Sequence, residues 1–242
     1  MTKLEHIKKV QELLKRDYPE VITPLNHINV YQLFVAVLLS PQTTDEATNK
    51  VTKVLFQKYK SFEELSKANL EDLILVIRTV NYNKTKARHL IEASKIIIER
   101  FKNQVPTNLA DITTLPGVGR KVGNVVISEW FAKPLYKRGS PRLNIDEVNI
   151  LNEWEKALVL SEGFVVDTHV IRCSQRLGLT MFRDPKKIEI DLMKTFPQSE
   201  WNDASLRLIF HGRNRCKAQN PKCYLDDEWS KVCECIKLRS LN

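Results

Sequence analysis

Leu115-Pro116-Gly117-Val118-Gly119-Arg120-Lys121 closes one helix and opens another. Pro116 cannot continue a preceding helix, while Gly117 and Gly119 tolerate positive φ and leave room for another backbone to approach closely. Beyond the turn, Val122, Val125, Val126 and Trp130 recur at helical spacing, so the following element is a helix whose first N–H groups lack intrahelical partners. Such a turn can hold a phosphate. Lys121 falls in the first helical turn, where the positive end of the backbone dipole disfavours a second positive charge. Partial burial would act in the same sense and leave more of the amine neutral and nucleophilic. Taken alone, the residue reads as an ordinary solvated lysine beside a capped turn.

Upstream of this turn the chain is a succession of helical stripes. Leu4, Ile7, Val10, Leu13 and Leu14 form one that ends before Pro19, and residues 33–39 form a helix buried on most sides, stopped by Ser40-Pro41. Ala47, Val51, Leu55 and Phe56 give another. Ser61 with Glu64 has the capping-box pattern, and Asn69 with Asp72 repeats the start signal before Leu73, Ile74 and Ile77. The clearest stripe runs Ala87, Leu90, Ile91, Ser94, Ile97, Ile98 and Phe101, closing before Pro106. Asn108 and Asp111 start the short helix that leads into the hairpin. Downstream, Val148, Leu151, Trp154 and Leu158 suggest an amphipathic helix, Asp167 begins another, Asp184-Pro185 opens one more, and Ser199 is expected to cap the next. No strand-like alternation interrupts the pattern, so the class is all-α.

The 242 residues carry a formal net charge of +9, and the basic residues cluster: Lys133, Lys137, Arg138 and Arg142 have no acid between them, nor do Arg207, Arg213, Arg215, Lys217 and Lys222. Such clustering suits a polyanionic partner. The N-terminus lacks the uninterrupted apolar core of a signal peptide, and no apolar run approaches a membrane span, so a cytoplasmic protein without membrane attachment is expected. Four of the five cysteines, Cys216, Cys223, Cys233 and Cys235, crowd into the tail, a pattern of metal or cluster ligands rather than of a secreted disulfide framework. Cys173 reads as a small buried residue.

The motif from Leu115 to Lys121 resembles the helix-hairpin-helix of the endonuclease III family of DNA glycosylases. The resemblance continues through Val122-Gly123-Asn124-Val125-Val126. It extends to Leu39-Ser40-Pro41-Gln42-Thr43-Thr44-Asp45, to Val166-Asp167-Thr168-His169, and to His211-Gly212-Arg213, all in the family's order. It spans nearly the whole chain apart from residues 133–163, which read as an insertion with a basic, Pro- and Gly-broken first half. The family's architecture implies two helical domains with the active cleft between them. A central bundle carrying the hairpin would occupy residues 22–132, and residues 1–21 with 133–242 would form the second domain.

The resemblance further implies a monomer acting on double-stranded DNA that contains damaged bases or abasic sites. Excising a base and then cutting the strand requires a nucleophile that attacks the deoxyribose C1′ and stays attached as a Schiff base, which a lysine amine can do and a carboxylate alone cannot. Lys121 therefore points to a bifunctional glycosylase and abasic-site lyase. A monofunctional mismatch or adenine-type glycosylase of the same fold, and a non-catalytic DNA-binding module, are the alternatives. Asp167 is the matching carboxylate, and it is equally a helix N-cap; the two roles are compatible.

By the family's pattern Gln42 fills the gap left by an extruded nucleotide, and Asn81-Tyr82-Asn83 supplies a wedge. Tyr82 stands where the family often has an aliphatic residue, and Asn81 where it usually has glycine; read without the family, Tyr82 is a surface turn residue. Backbone N–H groups of Gly117 and Gly119, with Arg120, would grip phosphate. Lys84, Lys86 and Arg88 read as a solvated helix face, and His169 and His211 as residues satisfying local hydrogen bonds. The family usually binds a 4Fe-4S cluster with C-x6-C-x2-C-x5-C spacing. Here the first interval fits, Asp226 stands at the third position, and a cluster, a zinc ion held by Cys216, Cys223, Cys233 and Cys235, or no metal are all compatible with the tail.

Overall fold

A computed structural model describes residues 1–131 and 162–233, and every regular element among them is helical. The insertion read over residues 133–163 and Cys235 lie, apart from residues 162 and 163, outside the described residues. The chain divides into two compact units, Thr23–Glu162 and Met1–Ile22 with Gly163–Asn242.

α1 (Lys3–Asp17) belongs to the second unit; the first runs through α2 (Val30–Leu39), α3 (Asp45–Lys58), α4 (Phe62–Ser66), α5 (Leu70–Val76), α6 (Asn83–Phe101), α7 (Leu109–Ile112) and α8 (Arg120–Val126). α2 is the hub. Its run from Leu33 to Leu39 is buried on every side, as a helix without a polar face must be, and α3, α6 and α8 pack against it. Starts are set by short polar caps: the side chains of Asn29, Thr44, Asn69 and Asn108 each accept the N–H three residues on. The capping box expected at Ser61 is only half made. Ser61 accepts from Glu64 N, but Glu64 accepts from Lys60 N, one residue before the cap.

The second unit packs α1 with the C-terminal helices: α9 (Thr168–Arg176), α10 (Pro185–Thr195), α11 (Trp201–Asn214) and α12 (Asp227–Val232). Val10, Leu13 and Leu14 share its core with Val170, Leu177, Leu208 and Trp229. Asp184 caps α10 with Pro185 in the first turn, as expected. The cap expected from Ser199 is absent: a 3-10 turn over Gln198–Glu200 runs directly into α11, which has no side-chain cap. Asp17 ties the two ends of this unit together, accepting from Trp229 Nε1 at 2.7 Å and lying 3.5 Å from Arg215.

Candidate active site

The hairpin joins α7 to α8. Leu115 and Val118 point into the core, and Val118 N donates to Leu115 O at 3.1 Å, closing a turn that leaves Gly117 and Gly119 exposed. The two glycines serve different needs. Gly117 has φ +77°, and a Cβ there would lie 2.7 Å from His89 Nδ1, so what approaches it is a side chain of α6 rather than a backbone. Gly119, the N-cap of α8, has among the described residues nothing within 4 Å of a Cβ position and no side-chain cap, so these residues leave the space over the helix start open. Farther in, Gly123 lets α8 close on α7, since a Cβ would meet Ile112 Cγ2 at 2.8 Å. Arg120 and Lys121 follow in the first turn of α8, both exposed. Lys121 is thus at the helix start and solvated, without the partial burial that would have favoured its neutral form.

A second group in the same unit brings Gln42 and Tyr82 together. Both have φ +59°, the left-handed region, outside any glycine. Asn81 Nδ2 donates to Gln42 O, so the residue standing in the family's glycine position has a job in the turn. Lys86 corrects the sequence reading: it is buried, not solvated, and its Nζ donates at 2.7 Å to both Leu39 O and Pro41 O. These carbonyls end α2 and begin the loop bearing Gln42, so Lys86 serves as the cation at a helix C-terminus. Burial pushes its ammonium down to about 8. Tyr82 itself is 66% exposed, a large aromatic held out from a pinned turn.

Asp167 lies in the other unit. Its Oδ1 accepts from His169 N and Val170 N, both at 2.8 Å, which makes it the N-cap of α9. Oδ2 takes no part in the cap, so the carboxylate is fixed by one oxygen and presents the other. His169 meets Arg172 Nη2 through Nδ1 at 3.0 Å, the local bonding expected of it.

The Cys-rich pocket is also in this unit. Cys173, Cys216, Cys223, Cys233 and His211 are all buried. Hydrogen bonds from Cys173, Cys223 and Cys233 pull the Cys216 thiol below its ordinary range; the same contact with Cys216, and burial after it, push Cys173 up. His211 and Cys173, read from sequence as bystanders, belong to this group. The four-cysteine cluster pattern does not fit it. At the third position Asp226 is committed elsewhere: Oδ1 accepts from Glu228 N and Trp229 N as the cap of α12, and Oδ2 pairs with Arg16 and Arg215.

With this geometry in place, comparison with known proteins is specific. The model of the HhH-GPD superfamily base excision DNA repair proteins matches residues 35–198. Endonuclease III of Synechocystis sp. is 36% identical over 222 residues, 92% of this chain and 89% of that protein. Endonuclease III of Bacillus subtilis is 36% identical over 224 residues, 92% of this chain and 90% of that protein. A solved structure of a trapped endonuclease III–DNA covalent intermediate matches with TM-score 0.82 and 33% identity over 99% of this chain and 100% of that one. A non-covalent endonuclease III–DNA complex matches with TM-score 0.83 and 32% identity over the whole of both chains.

Proposed function

Since this chain belongs to the HhH-GPD superfamily of base excision DNA repair proteins, we propose that it removes oxidised pyrimidines from duplex DNA and cleaves the abasic strand through Lys121. The chain is a DNA glycosylase and abasic-site lyase whose partner is double-stranded DNA. The observation that carries the lyase reading is the exposed amine of Lys121 in the first turn after an open, uncapped helix start. Its neutral form attacks C1′, and the C1′–N bond to the base breaks as the base leaves with a proton. The sugar ring opens to an iminium linking Nζ and C1′. Loss of a C2′ proton then expels the 3′ phosphate, and water hydrolyses the imine to free the lysine.

Asp167, with one oxygen spent on the α9 cap, is the acidic partner: its other oxygen stabilises oxocarbenium charge and assists proton transfer. The N–H groups at Gly117 and Gly119, with Arg120, hold a phosphate in the space over α8. Gln42 and Tyr82, side by side on pinned turns, fill the stack once the nucleotide is extruded. Two compact units support a division into a hairpin-bearing bundle and a second helical domain. No step of this reaction runs through the Cys-rich tail, whose role is structural. Chromosomal DNA as substrate puts the enzyme in the cytoplasm.

Borohydride trapping on duplexes bearing oxidised pyrimidines or an abasic site tests the assignment. The expected result is a covalent protein–DNA adduct that vanishes in Lys121→Ala. No adduct, or one undiminished in that variant, rejects Lys121 as the nucleophile; base release without any strand cleavage favours a monofunctional glycosylase.

A further inference from the structure

The unit that carries Asp167 holds a group of buried soft donors that the reaction leaves unused. A ring nitrogen of His211, Cys216 Sγ and Cys223 Sγ all lie within 4.8 Å of one another. A single tetrahedral ion with Zn–S of about 2.3 Å sets neighbouring donors about 3.8 Å apart, so small movements would close these three around one ion. A four-iron cube, by contrast, keeps its thiolates apart by the width of the cube. His211 supplies the second observation. Its side chain is fully buried, Nδ1 has no hydrogen-bond partner among the described residues, and Nε2 faces the Cys223 sulfur at 3.8 Å. A buried imidazole without an oxygen partner is costly in an apolar core, and a metal bond offsets that cost.

The donors come from separate segments held by backbone bonds. Cys216 N donates to His211 O at 2.7 Å, and Lys222 N to Arg215 O at 2.8 Å, which closes the loop between Cys216 and Cys223. Arg172 Nε donates to Cys216 O at 3.0 Å. Trp229 stacks on the His211 ring with centroids 4.1 Å apart, fixing its plane. Cys233, at the C-terminal end of α12, lies outside that close group of three but is hydrogen-bonded to Cys216. Cys173 is the less suitable fourth donor, because its sulfur fills the contact between α9 and α11, 3.0 Å from where a Cβ on Gly212 would stand.

We propose that His211 Nε2 and the thiolates of Cys216, Cys223 and Cys233 bind one zinc ion tetrahedrally, a structural site that replaces the family's four-cysteine iron–sulfur cluster. Elemental analysis of the full-length protein, produced with both iron and zinc supplied, is expected to give about one zinc per chain and no iron. Cobalt substituted for zinc is expected to show tetrahedral d–d bands with thiolate-to-cobalt charge transfer. In competition with a chromophoric chelator, His211→Gln and Cys233→Ser should weaken zinc binding by about tenfold or more, and Cys173→Ala should leave it unchanged. If a variant fails to fold, as judged by circular dichroism, the cobalt spectrum of the parent protein still decides. Stoichiometric iron, a metal-free protein that chelator does not destabilise, an oxygen-ligated cobalt spectrum, or full zinc affinity in folded His211→Gln or Cys233→Ser overturns the proposal.

Discussion

Lys86→Met removes the ammonium that ties the end of α2 to the Gln42 loop while keeping most of the apolar stem. In the parent protein Nζ serves two carbonyls at 2.7 Å. Hydrogen bonds from a charged group are worth about 1.5–3 kcal/mol each, so their loss alone costs about 3–6 kcal/mol. Against this, the parent buries a charge: lowering the lysine from 10.5 to about 8 corresponds to roughly 3 kcal/mol of penalty near neutral pH, which methionine does not bear. The net deficit of the variant at about pH 7 is therefore about 0–3 kcal/mol. Its pH dependence is the sharper test. The folded value is below the unfolded one, so between about 8 and 10.5 the unfolded chain binds more protons and the parent gains stability as pH rises. The neutral amine keeps two N–H donors, enough for both carbonyls. By about pH 9.5 the relief reaches about 2 kcal/mol, and methionine has none to gain. Urea unfolding of both proteins at the two pH values gives the difference directly, because every other titration is common to both and cancels. A deficit that stays constant or shrinks as pH rises refutes the assignment of Lys86 as a buried, titratable tie.

The glycines of the hairpin should separate cleanly. Gly117→Ala, forced into φ +77° against the His89 ring, should lose about 2–5 kcal/mol in chemical denaturation, whereas Gly119→Ala, with open space around its Cβ, should fold normally and lose affinity for an abasic-analogue duplex. Asp167→Asn keeps an oxygen for the α9 cap and should unfold within about 0.5 kcal/mol of the parent, while Asp167→Ala should lose about 1 kcal/mol; base release in single-turnover assays should fall on the order of a hundredfold in both.

The bundle was legible because its signals are local. A run of apolar residues with no polar face, as in α2, has nowhere to go but a core, and an asparagine with an aspartate three residues on, as at Asn69 and Asn108, caps the helix that follows. The hairpin glycines were legible for the same reason, although Gly117 turns out to make room for His89 rather than for backbone. Ser199 misled because capping is decided by the backbone entering the helix, and here a 3-10 turn already occupies that entry. Glu64 misled by one residue: its side chain satisfies Lys60 N in place of the cap's own N–H.

Lys86 and His211 were missed for a common reason, and the signal was present. Residue type alone suggests a solvated or locally bonded side chain at each position, whereas helical period places both on the buried side. Lys86 stands four residues before Leu90 and is in register with Ala93 and Ile97, all buried. His211 stands three after Leu208 and seven after Ala204, again buried. An ionisable side chain on the apolar stripe of a helix must find strong partners or lose free energy to desolvation. Its position in the pattern therefore announces a polar contact before the partner is known. For Lys86 the partners are the carbonyls that shape the Gln42 loop, the turn proposed above to meet DNA. For His211 they are sulfurs, and the same rule that explains one lysine's hydrogen bonds leads to the zinc site proposed on the other unit.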